Sequence, residues 1–192
     1  MLTAEENAIL TETDADTPMG EYFRRYWQPI ALSEELPEPD SDPLRVTVMG
    51  EELVAFRDTN GRVGLMDRRC PHRGADLFFG RNEECGLRCV YHGWKFDIEG
   101  NAVDLPNVPP GVRHHQTMRI KTYPTREYGD VVWAYMGPTM PELPDVPRLE
   151  FGLVNASRRY VMKQLVECNW AQAMEGDLDT SHFSFLHMPA PN

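Results

Sequence analysis

The sequence predicts an α+β chain, in which a small antiparallel β domain is followed by the opening elements of a second, α+β domain. Three observations carry this expectation. Residues 44–135 break into short stretches of period two separated by turn signals, as in a small antiparallel domain. A proline-rich strip follows at 137–148, and beyond it one strand-like and one helix-like run stand alone. With 192 residues, 41% of them apolar, the chain can bury one large core, or one small core plus part of another.

In chain order, residues 1–40 read as an N-terminal helical segment. Within it 18–28 places Met19, Tyr22, Phe23 and Tyr26 on one side of a short helix. After the Pro, Glu and Asp-rich stretch 36–43, Leu44, Val46 and Val48 alternate with Arg45, Thr47 and Met49, and Leu53–Phe56 follows. Asn60-Gly61 supplies a tight hairpin turn, because both residues tolerate positive φ. Further strands are expected at 62–67, 88–91, 94–98, 118–123 and 130–135, with Glu99-Gly100-Asn101 as another turn. The β domain is thus placed at 41–136 and a linker carrying Pro138, Pro141, Pro144 and Pro147 at 137–151. In 152–192, residues 158–166 read as a strand, and Asn169 caps a helix through Trp170, Ala173, Met174 and Leu178. One strand and one helix cannot close a core, so this second domain reads as an incomplete start.

Charge and composition exclude several functions. Nineteen basic against thirty acidic residues give a net charge of −11, which opposes nucleic-acid binding. No run approaches the roughly 20 apolar residues of a membrane span. The N-terminus turns acidic at Glu5 and lacks a basic-then-apolar secretory pattern, so a cytoplasmic location without membrane attachment is expected. In that compartment four cysteines point to metal ligation or burial rather than to disulfides.

Cys70, His72, Cys89 and His92 form the first constellation: Cys-x-His, sixteen residues, then Cys-x-x-His. Two thiolates and two imidazoles suit either a closed zinc site or an iron–sulfur centre. In an extended loop, side chains two apart project to the same side, so Cys70 and His72 can reach adjacent metals. Pro71 stiffens the first loop, and Gly74 and Gly93 let backbone amides approach closely. Cys70-Pro71-His72-Arg73-Gly74 and Cys89-Val90-Tyr91-His92-Gly93-Trp94 resemble the two cluster-binding loops of Rieske oxygenases. The resemblance implies a 2Fe–2S cluster with Cys70 and Cys89 on one iron and His72 and His92 on the other.

The second constellation is Asp179, His182 and His187. Asp179 and His182, three apart, share a helical face, whereas His182 and His187 lie about 140° apart on an ideal helix. Both histidines can bind one metal only if the helix ends or bends between them. Mononuclear non-haem iron(II) oxygenases use two histidines and one carboxylate and leave positions open for dioxygen. Taken with the first constellation, the arrangement resembles the catalytic subunits of Rieske non-haem iron aromatic-ring oxygenases, in the phthalate-dioxygenase-like branch. That likeness implies His182 and His187 as ligands of a mononuclear Fe(II). It also implies Asp179 as the carboxylate joining a cluster histidine of one subunit, His92, to His182 of its neighbour. The family's third iron ligand, a carboxylate, comes from further downstream, and residues 188–192 contain no anionic side chain. The family triad is therefore not expected to be complete within this chain, nor the chain alone to turn over.

By the same resemblance, a separate reductase passes electrons from NAD(P)H to the cluster. The likeness further implies an iron that uses dioxygen to hydroxylate or dealkylate an aromatic, carboxylated substrate, in a homotrimer or a stack of two trimers. A rival reading is a Rieske electron carrier without oxygenase chemistry. The remaining candidates read more blandly. Cys85 and Cys168 are expected as buried or half-buried thiols, His114 and His115 as loop histidines, and Glu175 and Asp177 as a solvated helix face.

Overall fold

The computed structural model describes residues 2–109, 112 and 117–189. Two helices open the chain, α1 (Ala4–Thr11) and α2 (Pro18–Phe23). Thr3 accepts from the backbone N–H of Glu6 while the Glu6 carboxylate accepts from that of Thr3, which closes a capping box on α1. Thr17 caps α2 ahead of Pro18 at its first position. The helix expected over 18–28 stops at Phe23. Gln28 precedes Pro29, and the proline ring disfavours helical backbone at Gln28, which instead starts strand β1 (Gln28–Leu32).

Among the described residues the β strands form three antiparallel sheets. In the first, β1, β11 (Val131–Ala134) and β10 (Thr125–Tyr128) lie in that order. Its first strand therefore lies inside the segment expected to be helical, upstream of residue 41. The second sheet is β2 (Leu44–Val48), β3 (Glu51–Arg57), β4 (Val63–Asp67) and β9 (Thr122–Tyr123). Met49-Gly50 turns β2 into β3 with φ of 45° and 76°, the left-handed backbone that a two-residue hairpin needs. At the Asn60-Gly61 turn the fully buried Asp58 carboxylate accepts the N–H groups of Asn60 and Arg62 and both ends of the Arg62 fork. Burying that charge is tolerated because each oxygen is paired.

The third sheet is β5 (Arg81–Glu83), β6 (Gly86–Arg88), β7 (Lys95–Phe96) and β8 (Ala102–Asp104). The strand expected over 88–91 ends at Arg88, and residues 89–94 form a loop instead. Two cores meet at the second sheet. Ile30, Leu36, Leu53, Leu65 and Val132 fill the one toward the first sheet, and Val54, Phe56, Met66, Leu87 and Phe96 the one beneath the third.

The proline strip is fastened to the β domain. Trp27 donates its indole N–H to the Pro144 carbonyl at 2.8 Å, and Leu143 and Val146 pack on the Trp27–Trp133–Tyr135 cluster. Beyond it come α3 (Glu150–Leu153), α4 (Trp170–Leu178) and α5 (Phe183–Leu186). The strand expected at 158–166 does not form. Val161 faces the Trp27 cluster while Tyr160 and Leu165 stay 88% and 86% exposed, so a period of two survives at its start. A strand needs a hydrogen-bonded neighbour, however, and none pairs with this run among the described residues. Salt bridges from Arg159 to Asp130 and from Lys163 to Glu35 hold it alongside the β domain.

Candidate functional site

Two loops carry the first constellation, one running from β4 toward β5 and one joining β6 to β7, and they share one hydrogen-bond pattern. The Cys70 N–H donates to the Ala75 carbonyl and the Gly74 N–H to the Cys70 carbonyl. Nineteen residues on, the Cys89 N–H donates to the Trp94 carbonyl and the Gly93 N–H to the Cys89 carbonyl. Each turn closes through a left-handed glycine, Gly74 at φ 69° and Gly93 at φ 76°. For Gly93 the requirement is also steric, since an added Cβ would lie 2.8 Å from Pro106 Cγ, whereas the Cβ of Gly74 would meet open space.

The four candidate ligands stand as two like pairs. Cys70 and Cys89 are each 2% exposed, form no disulfide and lie within hydrogen-bonding reach of one another. Burial pushes the Cys70 thiol up to about 11, and the neighbouring Cys89 adds to the rise. The backbone N–H groups of His72 and Arg73 point at the Cys70 sulfur and partly oppose it, as donors to a thiolate would. The His72 and His92 rings meet edge to face with centroids 4.5 Å apart. Desolvation, with the neighbouring His92 and Arg73 adding to it, holds His72 below the ordinary histidine range and so favours the neutral imidazole that can bind a metal. Its Nδ1 is buried without a partner, which leaves that lone pair free for a ligand. Among the described residues no three His, Cys, Asp or Glu side chains converge on a single ion. A thiol pair and an imidazole pair side by side suit a centre with two metals, one soft-ligated and one nitrogen-ligated.

The surroundings fix these loops. Trp94 lies flat against His72 and donates its indole N–H to Asn107 Oδ1 at 2.6 Å. Arg88, just before Cys89, donates to Glu83, Asp104 and the Gly93 carbonyl. Neither Asn107 nor Arg88 is legible as a site residue in the sequence, because their partners are set by how distant strands fold together.

The second constellation is placed differently from its sequence reading. Asp179 and His182 do not share a helical face, since α4 ends at Leu178 with Asp179 as its C-cap, and His182 precedes α5. Asp179 still approaches His182, Oδ2 lying 3.4 Å from Nδ1, through a turn in which its Oδ1 accepts the N–H and hydroxyl of Ser181. Those Ser181 bonds, with His182 adding a smaller effect, hold the Asp179 carboxyl below its ordinary value. The helical chain breaks before His182 rather than between the two histidines, which cap the two ends of the single turn of α5 with ring centroids 5.3 Å apart.

Of the other candidates, Cys85 is half-buried at φ 59° and accepts a hydrogen bond from Asn60. Cys168 is exposed, contrary to expectation, within a run, 162–169, that is exposed throughout. Glu175 and Asp177 are solvent-facing. His114 and His115 lie outside the described residues. No helix among the described residues is long and apolar enough to cross a membrane.

Residues 26–124 match the Rieske [2Fe-2S] domain, and residues 134–190 match a domain described as LigXa C-terminal domain like. The chain belongs to the Rieske family, whose cofactor is a 2Fe–2S cluster. It is 47% identical to the phthalate 4,5-dioxygenase oxygenase subunit of Pseudomonas putida, over 97% of this chain and 42% of that protein. It is 48% identical to the 3-chlorobenzoate-3,4-dioxygenase oxygenase subunit of Comamonas testosteroni, over 98% and 43%. A crystal structure of dicamba monooxygenase with non-heme iron and dicamba superposes with a TM-score of 0.57 at 32% identity, over 67% of this chain and 38% of that one. The chain thus spans less than half the length of these two oxygenase subunits.

Proposed function

We propose that Cys70 and Cys89 hold one iron of a 2Fe–2S cluster and His72 and His92 the other, in the N-terminal portion of an oxygenase subunit. The observation that carries the ligand assignment is the pairing of two buried thiols with two imidazoles on a matched pair of loops, inside the Rieske match. The cluster supplies one-electron transfer when bound. The chain's own contribution is to bury the sulfurs, keep His72 neutral with Nδ1 directed inward, and hold both loops closed through Gly74 and Gly93.

His182 and His187 would hold a mononuclear iron(II), which would supply dioxygen activation when bound, and Asp179 would orient His182 through Nδ1, the nitrogen it approaches. Asp179 also receives the free N–H of a neighbouring copy's His92, which makes a homotrimer or stacked trimers the working assembly. A cytoplasmic reductase feeds the cluster from NAD(P)H, and the substrate is an aromatic compound bearing a carboxylate. Support for that substrate class lies in the names of relatives acting on phthalate and 3-chlorobenzoate. An electron carrier alone would leave the second matched domain, 134–190, without a role.

The deciding experiment is electron paramagnetic resonance of the reduced chain together with iron and sulfide analysis. A Rieske spectrum lost in Cys70→Ser and His72→Ala variants is the expected result. A colourless protein binding one zinc would overturn the assignment.

A further inference from the structure

Arg88 sits at the end of β6, immediately before Cys89, with its side chain only 13% exposed. Its guanidinium makes three short bonds in three directions. Nε donates to Glu83 Oε1 at 2.6 Å, and Nη1 donates both to Asp104 Oδ2 at 2.7 Å and to the Gly93 carbonyl at 2.6 Å. The Gly93 carbonyl belongs to the residue directly after His92, in the left-handed turn that closes the second loop. The two carboxylates come from β5 and β8, the two outer strands of the sheet.

We infer that Arg88 is a positioning residue for His92: the planar fork, fixed by Glu83 and Asp104, sets the Gly93 carbonyl and through it the direction of the His92 ring toward the histidine-ligated iron. This deepens the ligand assignment above and rests on it. The physical case is geometric. A loop closed only by its own two backbone bonds can rock about the strand ends, and the fork adds a third bond that ties its far side to both edges of the sheet. Glu83 and Asp104 neutralise the guanidinium, so it can remain buried there at tolerable cost. A lysine at 88 would retain the charge but not the rigid fork, because its ammonium sits on a flexible stem.

Charge and position therefore separate in experiment. On the cluster-loaded full chain, Arg88→Lys, Arg88→Gln and Asp104→Asn are compared by electron paramagnetic resonance, cluster potential and rate of cluster loss to a chelator. Positioning predicts that Arg88→Lys and Arg88→Gln both shift the g-values and lose cluster roughly tenfold faster, the scale on which residues supporting metal ligands act. Asp104→Asn should move the same readouts in the same direction by less. Gln alone should also lower the potential by removing a cation. If Arg88→Gln fails to fold, Arg88→Lys and Asp104→Asn carry the test. Unchanged g-values and cluster loss in Arg88→Lys would overturn the proposal, as would a change in melting temperature with every cluster readout intact. A wild-type chain lacking the Rieske spectrum would instead overturn the ligand assignment beneath it.

Discussion

The imidazole of His72 lies on the indole of Trp94 with centroids 4.3 Å apart and planes within 7° of parallel. That contact joins a candidate ligand to the core, since Trp94 is 6% exposed and packs with Leu77, Leu87 and Phe96 beneath both loops. Trp94→Ala would remove the floor under His72 and open a cavity, at a cost of about 3–5 kcal/mol in urea unfolding. Asn107→Ala should cost about 1 kcal/mol or less, because Asn107 is exposed and water can take over as acceptor for the indole N–H. Equal losses in the two variants would show that the hydrogen bond, and not the ring, supports the loop.

The two loop glycines should respond unequally to the same substitution. Gly74→Ala meets no atom and costs only the left-handed backbone, about 1–2 kcal/mol. Gly93→Ala incurs that strain and also drives a methyl onto Pro106, so its melting temperature should fall further and its cluster content with it. Indistinguishable melting curves would contradict the packing described around Pro106.

Removing the iron exposes a pH dependence with a defined sign. The Cys70 thiol is raised by burial from an ordinary value near 9.0 to about 11 in the folded chain. The folded state therefore holds its proton more tightly than the unfolded state does. That stabilisation is complete below about pH 9 and is lost as pH rises toward 11. Iron-free wild type should lose stability across this window, and iron-free Cys70→Ala should not lose this component. Parallel pH profiles for the two would refute it.

Exchanging a ligand should move the cluster potential in a known direction. In His92→Cys, a thiolate replaces a neutral imidazole and adds negative charge to the cluster, which disfavours the reduced state. Spectroelectrochemical titration should give a lower potential than wild type. An unchanged or higher potential would remove His92 from the ligand set.

How much of this was legible in the sequence varies with the range of the interaction. The cluster loops were readable because Cys, His and Gly recur at spacings that each loop satisfies alone, and the hairpin turn at Asn60-Gly61 needs only local backbone freedom. Helix α1 carried a readable signal in Thr3 and Glu6 but has no apolar face to mark it, and none of its residues is fully buried. Strands β5 and β8 have three residues each, too few for a period of two to declare itself. Residues 158–166 show the converse case, a strand-like pattern without a neighbouring strand to pair with. Asn107 and Arg88 acquire their roles only when chain segments 13 and 16 residues apart are folded together, which no local pattern records.

Asp179 yields the last prediction. Its Oδ1 is engaged by the Ser181 N–H at 2.8 Å and hydroxyl at 2.6 Å, so Oδ2, at 3.4 Å from His182 Nδ1, is the oxygen left to orient the imidazole and to meet a neighbouring copy. The Ser181 bonds hold its carboxyl below the ordinary aspartate value, so it stays ionised at neutral pH, and a role in electron transfer should persist into mildly acidic solution. Asp179→Asn preserves the size but removes the charge, and an amide presents only one oxygen where the carboxylate has two. In the full-length oxygenase, cluster and iron content should persist while electron passage from reduced cluster to iron slows by 10-fold or more, on the order seen when residues supporting metal ligands are changed. Ser181→Ala, which leaves the carboxylate in place, should slow it far less. Single-turnover reoxidation of the cluster, with substrate and dioxygen present, measures both, and an Asp179→Asn rate equal to wild type would exclude the bridge.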